Sequence, residues 1–181
     1  MFGNIKSLRN HTKSAVIAAG LLALAALPTT VQAASGPFAA LSGSWSGGGT
    51  ITMSNGAKER IRCRARYNVG SSGSNVDLTL RCASDGFTFE LQSNASYSNG
   101  AVSGTWNETT RGVGGSIEGS GNAGQIKLRV SGIISASLAV NTVADQQSIS
   151  IQAPGTEMQN VAISLSRKPS VQVSSLSDGS K

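Results

Sequence analysis

The segment ERIRCRARY, residues 59–67, sets Arg60, Arg62, Arg64 and Arg66 at every second position, with Ile61, Cys63, Ala65 and Tyr67 between them. A strand turns successive side chains to opposite faces, so this spacing predicts four guanidinium groups on a wet face and a cysteine on a dry one. Guanidinium is a planar, permanently charged fork that meets phosphate or carboxylate through paired hydrogen bonds. A row of them is therefore a candidate anion-binding surface, to which Arg81 in LRCAS adds a fifth member. Anionic lipid, lipopolysaccharide phosphates or an acidic polymer would be its partners. A solubilising face partly compensated by Asp and Glu is the plain alternative.

Other chemistry is mostly excluded by what the chain lacks. The single histidine, His11, falls in the amino-terminal leader, so a mature chain would carry no imidazole for a general base, a triad or a metal site. Glu90, Glu108 and Glu118 are expected on wet faces as solvated carboxylates rather than a catalytic dyad. The glycine-rich GVGGS at 112–116 precedes no helix that could offer amide groups to a phosphate, and reads as a coiling strand. Two cysteines without a histidine cannot complete a tetrahedral metal site. No cofactor, metal or catalytic residue is expected, and the chain is read as a non-enzyme.

The residues that must position this row begin after a leader. Lys6, Arg9 and Lys13 precede the apolar run at 15–27, and Pro28 and VQAA follow it, the pattern of a signal peptide ending near Ala33. The apolar run is short for a membrane span. Export implies an oxidising compartment, periplasmic or secreted, where Cys63 and Cys82 would pair. The leader holds 3 of the 15 Lys and Arg, leaving 12 against 9 Asp and Glu, about +3. The expected organisation is a signal peptide at 1–33, a lead-in at 34–40, one domain at 41–167 and a flexible polar tail at 168–181.

Within that domain period two recurs. In LSGSWSGGGTITM the odd positions include Leu41, Trp45, Ile51 and Met53, with serines and threonines on the other face. The SNG turn at 54–56 returns the chain into the arginine segment with Met53 opposite Ala57. A Gly/Ser turn then leads to NVDLTLRCAS, whose register sets Cys63 against Cys82, Ala65 against Leu80 and Tyr67 against Leu78. The same register puts Arg64 against Arg81, a repulsion that Asp77 or Glu59 is expected to relieve. Phe87, Phe89, Leu91, Ala95 and Tyr97 approach the primed turn at Asn99-Gly100, which pairs Tyr97 with Val102, Ala95 with Gly104 and Ser93 with Trp106. A hairpin closed by GNAG sets Val113 to Gly119 against Ile126 to Gly132. Strands at 135–141, 147–153 and 161–166 complete the domain.

About eight to ten antiparallel strands with short connections and no crossover helix define an all-β fold, an up-and-down barrel in preference to a β-sandwich. Closure removes sticky edges, and inward glycines at 47, 49, 104, 115 and 119 allow the coiling that a small barrel needs. An outer-membrane barrel is disfavoured by the missing aromatic girdles, by the SDGSK ending and by cysteines on the apolar face.

The Gly43-Ser44-Trp45 opening resembles the G-x-W start of lipocalins and avidins, and Gly104-Thr105-Trp106 repeats it. From about Leu41 to Arg167 the chain also resembles small exported proteins of alphaproteobacteria that share the GxW opening, the ERIRCRA block, a later RCAS and a GTW. The second likeness implies boundaries and compartment, with no activity attached. The lipocalin likeness implies that Trp45 closes the barrel floor, with no late-strand basic residue assignable over it and no C-terminal helix.

Two binding functions follow. A carrier would hold an apolar or aromatic small ligand among Trp45, Tyr67, Leu78, Leu80, Phe87, Phe89, Tyr97 and Trp106, unless those side chains simply fill the barrel. A cell-envelope protein would instead use the outward Arg60, Arg62, Arg64, Arg66 and Arg81. Nucleic acid fits less well, because no aromatic residue interleaves with the arginines.

Overall fold

A computed structural model describes residues 36–169, which places the leader, His11 and most of the polar tail outside the described residues. Ten strands form one closed antiparallel barrel, so the sandwich alternative does not hold. They are β1 (Gly43–Met53), β2 (Lys58–Val69), β3 (Asn75–Ala83), β4 (Thr88–Ser98), β5 (Ala101–Glu108), β6 (Val113–Asn122), β7 (Gln125–Gly132), β8 (Ala136–Val143), β9 (Gln146–Gln152) and β10 (Met158–Arg167). Each strand pairs with its sequence neighbours, and β1 pairs with β10 to close the ring.

Turn chemistry sets the order. Gly56 takes positive φ in the β1–β2 turn, where the Met53 N–H donates to the Ala57 carbonyl. Asn99-Gly100 turns with φ of 49° and 87°, the primed geometry that suits strand twist. The β6–β7 connection is tighter than the expected GNAG loop. Asn122 and Gln125 still pair, and Ala123-Gly124 alone makes the turn. The last three strands run slightly differently from expectation, and β10 starts three residues early, at Met158.

The expected registers are present: Cys63 opposes Cys82, Ala65 opposes Leu80, and Tyr67 opposes Leu78. Burial alternates along β2 without a break from Arg60 to Asn68, cations out and apolar residues in. All aromatic residues among those described face the interior: Phe38, Trp45, Tyr67 and Trp106 are buried, and Phe87, Phe89 and Tyr97 pack against them. They fill a ring of ten strands, which is wider than the eight that side chains fill easily. Glycine also lets adjacent strands coil closely against each other. A Cβ at Gly47 would collide with the Ser164 carbonyl oxygen, and one at Gly115 with that of Ser131.

The two ends differ. At the floor, residues 36–42 plug the barrel. The Gly36 and Phe38 N–H groups donate to the Ser72 and Gly73 carbonyls, Pro37 accepts from Gly124, and a 3-10 turn at Ala39–Leu41 follows. Phe38 and Leu41 are buried, so the lead-in belongs to the core rather than merely preceding it. At the mouth, Met53, Phe87, Phe89, Leu138, Ile151 and Met158 form a half-buried apolar collar. The outer wall carries Ser, Thr, Asn, Gln and charged residues at most outward positions, the reverse of a lipid-facing barrel. No helix among the described residues is long and apolar enough to cross a membrane.

Candidate functional site

The candidate anion site is the outer row of β2. Arg60, Arg62, Arg64 and Arg66 are all exposed. Their register partners on β1 are short: Thr50, Gly48, Ser46 and Ser44 respectively. On β3 the partners are Ala83 for Arg62, Arg81 for Arg64 and Thr79 for Arg66. The guanidinium groups therefore stand above a shelf of small, largely hydroxyl-bearing residues. Beside this shelf a shallow concavity of about 480 Å³ begins at Gly48 and Thr50 and continues across Ala162 and Ser164.

Ion pairing separates this row from Arg81, Arg111 and Arg167, while Arg129 on β7 is likewise exposed and without an ion pair among the described residues. Arg81 is held by Glu90 at 2.7 Å, its register partner on β4. Relief of the Arg64–Arg81 juxtaposition thus comes from Glu90, and neither Asp77 nor Glu59 supplies it. Asp77 lies opposite Asn68, and Glu59 accepts a hydrogen bond from Ser84 Oγ. Arg111 pairs with Glu108 and lies 4.3 Å above the Phe87 ring. Arg167 pairs with Asp145. Among the described residues no carboxylate comes within 4.0 Å of Arg60, Arg62, Arg64 or Arg66.

Behind the row, on the inner face, Cys63 and Cys82 form a disulfide with Cα atoms 4.1 Å apart. This cross-link ties β2 to β3 and fixes the strand from which the arginines project. Closing a loop of this length stabilises the fold by about 3 kcal/mol, chiefly by restricting the unfolded chain.

The interior is packed where a carrier would need space. Trp45 keeps 1% of its surface, Leu165 1% and Tyr67 5%, values too small for walls of a wet cavity. Leu80 and Trp106 are buried as well, while Leu78, Phe87, Phe89 and Tyr97 are half-buried. The inward residues are therefore brought together as a filled core. Tyr67 donates to Gln147 Oε1, and Gln147 Nε2 donates to Thr142 Oγ1, a closed polar chain in the core. Burial raises the Tyr67 hydroxyl well above its ordinary value, partly opposed by Gln147, and keeps it neutral.

Two inward charged residues escaped the sequence reading. Glu108 is buried at 2% exposure rather than wet. Its carboxylate accepts from the backbone N–H groups of Glu90, Thr110 and Arg111 and from Arg111 Nη1, so it knots the β5–β6 turn. Burial alone would raise its pKa; the hydrogen bonds from Thr110, Glu90 and Arg111 outweigh that and lower it to about 2. Its even-numbered position, shared with Val102, Gly104 and Trp106, was the available signal. Arg167 shares parity with Ile163 and Leu165 in the same way. It stacks 4.3 Å over Trp45, donates to the carbonyls of Ala40, Ser42 and Ala144, and pairs with Asp145. This is the late-strand cation that the sequence left unassigned. Trp45 completes the floor by donating from Nε1 to the Leu41 carbonyl at 2.7 Å.

No family model matches the chain, and no curated protein matches it. Among solved structures, the crystal structure of Rv2717c from M. tuberculosis is similar, with a TM-score of 0.59 and 16% identity over 72% of this chain and 94% of that one. At that identity the likeness supports the barrel fold alone.

Proposed function

We propose that this protein is a non-catalytic binding protein of the extracytoplasmic space that docks an anionic cell-envelope component on the outer wall of β2. The observation that carries the reading is the contrast in pairing: three arginines find carboxylates, whereas the four of the row face only short neutral neighbours or another arginine. Leaving several like charges together lowers stability slightly, and an external anion would reverse the sign of that effect. The disulfide supports a site of action in an oxidising compartment.

Binding to dextran sulfate, followed by fluorescence anisotropy, is the direct test. Affinity should fall steeply as salt rises from about 50 to 200 mM, because charged contacts are screened and counterions released. Arg62→Ser with Arg64→Ser should remove the binding. Salt-insensitive binding, or full affinity in the double variant, would sink the proposal.

A second reading rests on the collar at the mouth, where Phe89, Leu138, Ile151 and Met158 are half-buried and Ile133 in the adjoining loop is 74% exposed. A small apolar ligand would sit in that collar, above the packed core. Native mass spectrometry of protein taken from its host envelope should then show a retained mass that is lost on Leu138→Asp substitution.

A further inference from the structure

Building on the docking role assigned to the β2 row, we infer that its partner is a linear polyol-phosphate chain, one phosphodiester per three-carbon repeat, lying along β2 on the shelf formed by β1. Alternate residues on one face of a strand repeat every ~6.6–6.8 Å. The Cα atoms of Arg60, Arg62, Arg64 and Arg66, all on the outer face, therefore span about 20 Å at a constant step, and the side chains carry that step outward. A polyol phosphate has six backbone bonds from one phosphorus to the next. Three bonds of an extended chain cover ~3.3–3.6 Å, so six cover ~6.6–7.2 Å. The charge periods agree to within a few tenths of an ångström per step, and four successive phosphates meet four arginines.

Chains with other periods lose register. A uronic acid polymer places one carboxylate per pyranose ring, roughly 5 Å per step from ordinary bond lengths, and falls behind by about 5 Å over three steps. That shortfall uses most of the reach of an arginine side chain. The shelf favours the phosphodiester too: Ser44, Ser46 and Thr50 stand in register with Arg66, Arg64 and Arg60, so three of the four guanidinium forks are joined by a hydroxyl donor for the remaining phosphate oxygens. Gly48, opposite Arg62, leaves the middle of the shelf lowest. The nearest outward carboxylates on β3 and β4 are Asp77, opposite Asn68 at the floor end, and Glu90, already bound to Arg81. Neither interrupts the row.

Single-stranded nucleic acid shares the six-bond repeat, but its bases need stacking surfaces, and the aromatic residues described all lie inside the barrel. A lipid bilayer would need apolar side chains able to enter it, and the outward neighbours of the row are Ser, Thr, Gly, Ala and Arg81.

The experiment compares four probes at about 50 mM salt, where screening is weak: an oligo(glycerol phosphate) of eight units, an oligogalacturonate of equal charge, a thymidine octanucleotide and phosphatidylglycerol vesicles. Titration calorimetry with the disulfide-intact protein should give the glycerol phosphate chain at least a fivefold tighter Kd than each competitor. Arg62→Ser with Arg64→Ser should weaken that chain at least tenfold while circular dichroism and melting temperature stay unchanged. Equal or tighter binding of the galacturonate, the octanucleotide or the vesicles, abolished by the same double variant, would overturn the period-matched partner and leave the docking role standing. If no probe binds, both fall.

Discussion

Arg167 and the β2 row use one side-chain type in opposite ways. Arg167 points into the floor, where Trp45, three carbonyl oxygens and Asp145 surround it. Arg60, Arg62, Arg64 and Arg66 point out, above serine, threonine and glycine, and meet no carboxylate among the described residues. A guanidinium whose donors are spent inside the protein holds structure together; one whose donors face water is available to a partner. The difference tells which arginine should matter for folding and which for binding.

The largest expected effect lies at the floor. Trp45→Ala should cost about 3–5 kcal/mol, since it removes a fully packed ring and leaves Arg167 without its stacking surface; denaturant unfolding measures it. A loss below 1 kcal/mol would mean that the floor is not what the packing indicates. Breaking the disulfide with Cys63→Ala and Cys82→Ala should cost about 3 kcal/mol, because the staple that holds β2 against β3 restricts the unfolded chain. Thermal melts with and without reductant should reproduce that loss in the unsubstituted protein.

A smaller, pH-dependent effect belongs to Glu108. Its folded pKa, about 2, lies below the ordinary 4.5, so its contribution is complete above about pH 4.5 and is lost as pH falls toward 2. Glu108→Gln should lower stability at pH 7 by about 1–3 kcal/mol and flatten the acid limb of the stability curve. An unchanged acid limb would show that the carboxylate is not tied down as the hydrogen bonds indicate. Smallest of all, Arg62→Ser with Arg64→Ser should change unfolding free energy by less than about 0.5 kcal/mol. Unfolding of that variant would place the row inside the stability machinery and erase the contrast with Arg167.

Much of this was legible in strict alternation. Arg60 to Tyr67 declares a strand with two unlike faces, and once Tyr67 and Leu78 flank a short turn, Cys63 must meet Cys82. The same rule, applied to NETTRG, would have put Glu108 inside with Trp106, but a carboxylate read by residue type is assumed wet. Burial there depends on the Thr110 and Arg111 N–H groups of the folded turn, the Glu90 N–H of β4 and the Arg111 guanidinium. Phe38 was overlooked for a similar reason: the lead-in has no period, and its role depends on a hole that only the closed barrel provides.

The linear order of residues was enough to determine strand faces, hairpin registers, the cysteine pair and the outward arginine period, because each depends on neighbours a few residues apart in a two-residue repeat. Closure of β1 onto β10, the plug at the floor, the filling of the interior and the capture of Arg167 over Trp45 were decided only by tertiary structure. The closure and the Arg167 contacts to Ser42 and Ala40 join residues more than a hundred positions apart. The plug reaches from Gly36 and Phe38 to Ser72 and Gly73 and from Pro37 to Gly124, and no local period encodes which distant groups will arrive to satisfy a buried charge or occupy a cavity.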